Sequence, residues 1–234
     1  MTLFKKIFFF AFLLLLLGCS NSAVKRYDKY QLTIEEELFL DSLQYKTFLF
    51  FWHECNSANG LVKDRSTKDS PSSIAATGFA IPSWAIGAEK KWITREQAAE
   101  RTLTLLKFLS NSEQSEDKLA TGYKGFYYHF LDMQTGQREW NCELSSIDTG
   151  LLFAGIIFAR NFFNQENENE NSIRDLSEKI LKRADWKFFT LPETHKMPYS
   201  ICLGWTPEDQ YHSWGWQGYN EALILYVIAA VLGM

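Results

Sequence analysis

The sequence predicts an all-α fold. Helix-start signals recur along the chain, Thr33-Ile34-Glu35-Glu36 and Thr94-Arg95-Glu96-Gln97 having the composition of capping boxes. Apolar residues recur at helical spacing over lengths typical of helices, and polar stretches separate these runs.

About six helices follow in order. The first runs from Thr33 to about Glu54 and carries Leu38, Phe39 and Leu43. Residues 56–72 read as a polar loop. Ser73 to Gly87 reads as a small-residue, buried helix that Pro82 should disturb, since proline lacks an N–H and crowds the preceding turn. The Thr94 box opens a helix to about Leu109, and residues 110–122 are loop. Gly125 to Leu131, with Asp132–Gly136 as a turn, reads as a short β-hairpin near 125–138. Ser146 to Phe163 is apolar on most sides, so it belongs inside a layer of other helices. Asn164–Asn171 reads as a low-complexity loop, and Ser172-x-x-Asp175 as the cap of a fifth helix reaching about Phe188. A long loop covers 189–216. A sixth helix starts near Gln217, and its apolar run Ala222–Leu232 reaches Val231-Leu232-Gly233-Met234, which reads as a chain cut short.

The N-terminus has the pattern of an export signal: Lys5 and Lys6, an apolar run from Ile7 to Leu17, then Gly18-Cys19-Ser20. The run is shorter than the roughly 20 residues a membrane-spanning helix needs. Leu16-Leu17-Gly18-Cys19 resembles a bacterial lipobox. It makes residues 1–18 a signal peptide, Cys19 a lipidation site and residues 19–32 a polar tether, with the folded domain over 33–234. Acyl chains contribute roughly 0.8 kcal/mol per buried methylene, so the expectation is a protein held at a membrane, in the periplasm or at the cell surface. Loss of two lysines with the signal takes the formal charge from −4 to −6, which is not a nucleic-acid-binding balance. Cys55, Cys142 and Cys202 remain after Cys19, an odd and widely spaced set that argues against a disulfide scaffold.

Neither a GxSxG elbow nor a phosphate-binding glycine loop is present, so serine hydrolase and P-loop chemistry are unsupported. His53, His129, His195 and His212 lack metal-ligand spacing and read as polar loop or core residues. Two acidic stretches stand out because aromatic and glycine residues flank them: Trp140 to Gly150, and Trp205 to Glu221. Acids at helix starts are favoured by the helix dipole alone. Two such acids among Trp, Tyr and Gly suit glycoside hydrolysis better. There one carboxylic acid protonates the leaving oxygen, a second carboxylate activates water or attacks, and aromatic faces stack on sugar.

Ordered segments along the mature chain carry a resemblance. They include Gly60-Leu-Val-Lys-Asp-Arg-Ser66, Ser73-Ile-Ala-Ala-Thr-Gly-Phe79, Trp92-Ile-Thr-Arg-Glu-Gln-Ala98 and Gly125-Phe-Tyr-Tyr-His-Phe-Leu-Asp132. Glu143-Leu-Ser-Ser-Ile-Asp-Thr149, Gly204-Trp205 with Pro207-Glu208, and Gly218-Tyr-Asn-Glu-Ala222 complete the series. The sequence resembles the bacterial glucoamylase-like domain family, which includes endo-β-1,2-glucanases of glycoside hydrolase family 144. That resemblance implies an (α/α)6 barrel of twelve helices, of which this chain would hold about the first half, with doubtful activity on its own. It implies hydrolysis of a β-glucan, β-1,2-glucan foremost, with an oligo- or polysaccharide substrate and no cofactor or metal. By position the acids are Glu143 and Glu221, with Asp148 next. Asp64, Arg65 and Glu208 would shape the cleft, and Trp205, Trp214, Trp216 and Tyr219 would contact sugar. The rival expectation is a non-catalytic glucan-binding lipoprotein, or an inert remnant of a longer enzyme.

Overall fold

The computed structural model describes residues 30–233, so the expected signal peptide, Cys19 and most of the expected tether lie outside the described residues. Two compact units divide at Ser42. In the first, Thr33 and Glu36 form the expected capping box: the Thr33 hydroxyl accepts the Glu36 N–H at 3.2 Å, and the Glu36 carboxylate accepts the Thr33 N–H at 2.8 Å. This box starts helix α1 (Ile34–His53).

The second unit, from Leu43 on, holds the remaining elements. Its helices are α2 (Ile74–Glu89), α3 (Arg95–Asn111), α4 (Ser146–Phe162), α5 (Glu168–Lys182), the single turn α6 (Trp186–Phe189) and α7 (Leu223–Leu232). Among the described residues they form no closed barrel. None of the described helices is long and apolar enough to cross a membrane. Helix α4 packs against α2, α5 and α7, while α3 packs against α2 and α5. The helices therefore alternate between two layers, with α2, α4 and α7 in one and α3 and α5 in the other. Composition explains the sorting. α2 is apolar on nearly every side, whereas α5 confines Ile173, Ile180 and Leu181 to one buried stripe.

At the α2–α4 crossing the two backbones come very close. A Cβ added to Gly155 would sit 2.3 Å from the Gly78 carbonyl oxygen, and one added to Gly78 would meet the Leu151 oxygen and the Leu152 Cα at 2.7 Å. Pro82 sits four residues after Gly78 and cannot donate to that carbonyl. Helix α2 nonetheless continues through Pro82 to Glu89, so the expected disturbance is local.

Short strands cover one end of the helices: β1 (Ser72–Ser73), β2 (Gly122–Tyr123), β3 (Phe126–Tyr127), β4 (Phe130–Leu131), β5 (Leu144–Ser145), β6 (Gly204–Thr206) and β7 (Gln210–Tyr211). Their pairs are antiparallel: β1 with β4, β2 with β3, and β6 between β5 and β7. The expected hairpin is thus split. Phe126–Tyr127 pairs backward with β2 and Phe130–Leu131 with distant β1, while Asp132–Gly136 does turn the chain into a single Leu131–Arg138 bridge.

Strands β1 and β5 feed α2 and α4 through the same local pattern. A serine caps each helix, Ser73 accepting from the Ala76 N–H and Ser145 from the Asp148 N–H. One residue further, Thr77 accepts the Val62 N–H at 3.1 Å and Thr149 the Tyr127 N–H at 3.0 Å. Each threonine precedes a glycine. The two helix starts differ at their first three helical positions; at the third, α2 has Ala76 and α4 has Asp148.

Two helix starts depart from expectation. Helix α5 begins at Glu168, not after Ser172, because the Asn167 side chain accepts the Glu170 N–H and caps it. The Glu170 carboxylate is buried and pairs with Arg95 at 2.8 Å. The stretch to Phe188 breaks after Lys182, and Trp186–Phe189 makes a separate turn. Helix α7 starts at Leu223, not Gln217, because Gly218 has φ +75° and the Asn220 side chain accepts the Ala222 N–H.

Candidate active site

The backbone brings three side chains together at the strand-covered end. Tyr128 bridges to Leu144, and the His129 N–H donates to the Glu143 carbonyl at 2.9 Å. The His129 carbonyl in turn accepts from the first N–H of α2, on Ile74, at 3.1 Å. Glu143 immediately precedes β5, and Asp148 lies in the first turn of α4, the helix β5 feeds. Gly204 of β6 leaves room for Glu143: a Cβ there would stand 2.7 Å from the Glu143 Cγ.

His129 links the two acids. Its Nδ1 is 3.0 Å from a Glu143 carboxylate oxygen, and its Nε2 is 3.7 Å from an Asp148 oxygen. The Ser145 hydroxyl donates to the same Asp148 oxygen at 2.5 Å. The Asp148 side chain is 13% exposed, against 27% for Glu143. One ligand atom from each of the three residues lies within 4.8 Å of the others, a spacing that could also hold a metal ion. An imidazole held between two carboxylates is the same arrangement without one.

The environment separates the two acids. Burial pushes the Asp148 carboxyl up and prevails over the charge of His129 and the Ser145 hydrogen bond; the charges of Glu143 and Glu221 push it further. Burial also opposes ionisation of Glu143. There it is outweighed by the His129 hydrogen bond, a backbone N–H and the charges of His129 and His212, and the net shift is downward. Burial works against a charged His129, but the Glu143 hydrogen bond and the carboxylates of Asp148, Glu143 and Asp64 raise it overall. Oppositely shifted neighbouring carboxyls are the pattern that divides acid from base roles.

The other anticipated residues fall into distinct environments. Glu221 is exposed at the entry to α7, and its charge is felt at Asp148. Asp64 accepts from the Arg65 guanidinium at 2.7 Å, and its charge reaches His129. Trp214 is 60% exposed with the Lys196 ammonium 4.1 Å from its ring centre, and Tyr219 is 91% exposed. Trp216 is partly buried, its indole N–H donating to the Ser146 hydroxyl at 3.1 Å.

Trp205 does not match its anticipated role. Trp205 lies on the central strand of a three-stranded sheet, is 3% exposed, and packs against Tyr123 and Phe188. It has no free face to offer a sugar. Glu208 is engaged by Arg138, whose Nη1 reaches both carboxylate oxygens at 3.0 and 3.1 Å. His129 is the residue that the sequence reading assigned to loop or core.

The helices in two layers, with carboxylates gathered under a strand-lined end, define the chain as an α/α-barrel type of domain. No family model matches it. It is 27% identical over 205 residues to an exo-β-1,2-glucooligosaccharide sophorohydrolase of Parabacteroides distasonis, covering 83% of this chain and 26% of that protein. A solved structure of a candidate glucoamylase from Bacteroides uniformis superposes with a TM-score of 0.69 at 27% identity, covering 86% of this chain and 47% of that one. A β-1,2-glucanase from Parabacteroides distasonis gives 0.69 at 26% identity, over 86% and 28% of the two chains. The chain is therefore similar in sequence and fold to glucoamylase-like proteins and β-1,2-glucanases. It spans about a quarter of the curated relative's length and under half of the first solved structure's.

Proposed function

We propose that this chain supplies part of the cleft of a glycoside hydrolase that acts on a β-glucan, as an endo-β-1,2-glucanase. The observation that carries the reading is the Glu143–His129–Asp148 cluster, whose two carboxyls are pushed in opposite directions. The named activities of the relatives support the choice of glucan. Asp148, which holds its proton more tightly than an ordinary aspartate, is the group suited to protonate a leaving oxygen. Glu143, more readily ionised, suits the base or nucleophile role, and Glu221 presents a further carboxylate beside Asp148. His129 lies between Glu143 and Asp148, so the sugar sits over the cluster and not between those two acids.

The repeated helix start supports a chemical role for Asp148. Ala76 occupies its position in α2, and that helix forms with the same serine cap and the same threonine contact. The fold therefore does not require an acid there. The lipobox-like Leu16-Leu17-Gly18-Cys19 supports export and attachment to a membrane through Cys19, which would place the cleft in the periplasm or at the cell surface.

The test is release of reducing ends from β-1,2-glucan. In a protein that carries the rest of the barrel, Glu143→Gln, Asp148→Asn and Glu221→Gln should each lower turnover by about 10²–10⁴, the usual worth of general acid–base help, with the far-ultraviolet circular dichroism unchanged. Near-normal turnover in both Glu143→Gln and Asp148→Asn would remove the cluster from the chemistry.

A further inference from the structure

Beside the cluster, a groove of about 610 Å³ opens between the end of α1, the loop that follows it and the turn from Asp132 to Trp140. Its walls are polar. Glu54 and Lys63 pair across 2.8 Å, and the Asn56 amide donates to the Met133 carbonyl at 2.6 Å, tying one wall to the other. Trp140 stands among the lining residues and is 58% exposed.

The backbone that presents Trp140 is strained. Trp140 has φ +55° and Asn141 φ +50°, two successive left-handed residues, neither of them glycine. For a bulky side chain that conformation persists only where the surroundings enforce it, and such strain clusters at ligand clamps. Here the enforcing group is Arg138, whose side chain is 1% exposed. It donates to the Asn141 carbonyl at 2.8 Å and the Cys142 carbonyl at 2.6 Å, while Glu208 balances its charge. A buried guanidinium thus holds a tight turn whose outward product is an indole ring.

A line of rings connects that indole to the reactive cluster. Trp140 packs at 5.1 Å against Phe130, and Phe130 stacks on the His129 imidazole at 3.9 Å and 15°. The groove and the cluster therefore lie on either side of a single phenylalanine.

We propose that this groove is a carbohydrate subsite that takes a neutral pyranose ring of a glucan chain whose cleaved bond lies at the cluster. The flat indole suits the C–H face of a sugar, in the way aromatic rings supply a large apolar contact beside polar groups. Asp69 and Glu139 offer carboxylate oxygens and Lys68 an ammonium, the hydrogen-bond partners that hydroxyl groups need. The lining carries Glu54, Asp69, Asp132 and Glu139 against Lys63 and Lys68, a surplus of carboxylates that disfavours an anionic ligand. The subsite rests on the reading of the cluster as glucan-cleaving, and its consequence is a preference for long chains over short ones.

The experiment measures binding of a long β-1,2-glucooligosaccharide and of the disaccharide sophorose by calorimetry, with an anionic polyuronide oligosaccharide as a third probe. Trp140→Ala should weaken the long sugar about tenfold and leave sophorose unchanged. Trp140→Asn removes the ring but tolerates the left-handed turn, so it should match Trp140→Ala, and Trp140→Tyr should restore most of the binding. If wild type binds the sugars and Trp140→Asn binds the long one equally well, the subsite is overturned while the proposed function stands. If wild type prefers the polyuronide, the neutral-sugar assignment is overturned. If it binds none of the probes, the cluster reading falls and the groove falls with it.

Discussion

The α2–α4 crossing sets where Asp148 sits, and it rests on two hydrogen atoms. Gly155→Ala would put a methyl group 2.3 Å from the Gly78 oxygen and 3.0 Å from its carbonyl carbon. Both are backbone atoms, so no rotamer change relieves the overlap and the helices must move apart. Overpacking of this type costs about 1–3 kcal/mol, and placement against backbone puts this site at the upper end. The gain in helix propensity from glycine to alanine returns roughly 1 kcal/mol, leaving a net loss of about 2 kcal/mol. For a domain of this size that lowers Tm by roughly 4–8 °C. Gly150→Ala, one turn from the start of the same helix, is the control. Its methyl group would meet the Leu225 Cδ1 at 3.0 Å, the far end of a side chain that can rotate away. It should leave Tm unchanged or raise it by up to roughly 3 °C. The assay is thermal unfolding followed by circular dichroism at fixed protein concentration. Equal melting temperatures for the two variants would refute the claim that backbone contact between α2 and α4 organises this end of the fold.

Further predictions concern the cluster, the apolar surface and the anchor. His129 has a raised pKa, so its stabilising contribution is present in full below its unfolded value near 6.5 and is lost as pH rises through the higher folded value. Stability should decline over that window in wild type, and His129→Gln should flatten the decline; an unchanged pH profile would argue against the double carboxylate contact. Asp148 is also raised, so ionising it costs stability, and Asp148→Asn should be as stable as wild type or more so at pH values above the raised folded pKa; a clear loss of stability there would contradict the assigned burial penalty. Leu223, Val227 and Val231 on α7 are 45%, 58% and 76% exposed, and Phe79 on α2 is 53% exposed. Patches of such residues favour association, so the chain without residues 1–18 should sediment as a dimer or larger species and Val227→Lys with Val231→Lys should shift it toward monomer, whereas a monodisperse wild-type monomer would refute this. Cys19→Ser should release the protein from membranes or block its processing, and unchanged fractionation with normal processing would remove the lipid anchor.

The helical framework was legible because its signals are local. Thr33 and Thr94 begin helices through side-chain bonds to residues three positions away, and those bonds form as expected. Asn167-x-x-Glu170 is the same kind of signal and was obscured by the asparagine- and glutamate-rich stretch around it. The strand-covered end was less legible because its order comes from distant pairing. Ser72 meets Leu131 and Leu144 meets Trp205, contacts that two-residue strands do not announce in sequence. Trp205 is hidden for that reason: strand pairing sets it against Tyr123 and Phe188, residues far from it in sequence. Glu143 and Asp148 could be singled out by their neighbours in sequence. His129 could not, since its role comes from the backbone register that sets it beside Glu143. Serine, threonine and glycine recur at 73, 77 and 78 and at 145, 149 and 150, and among the three positions that differ between them Asp148 alone brings a charge.

Arg138 has a consequence for inheritance. Its guanidinium is out of water and meets Glu208, a residue 70 positions further along the chain. Loss of the acid alone would strand a buried cation, a change that costs about 3–5 kcal/mol in comparable pairs. Loss of the arginine alone would free the turn that carries Trp140. Neither substitution is a small step by itself. The two positions should therefore change together across descendants of this chain, and lineages that exchange the pair for an uncharged one should also loosen the turn that presents Trp140.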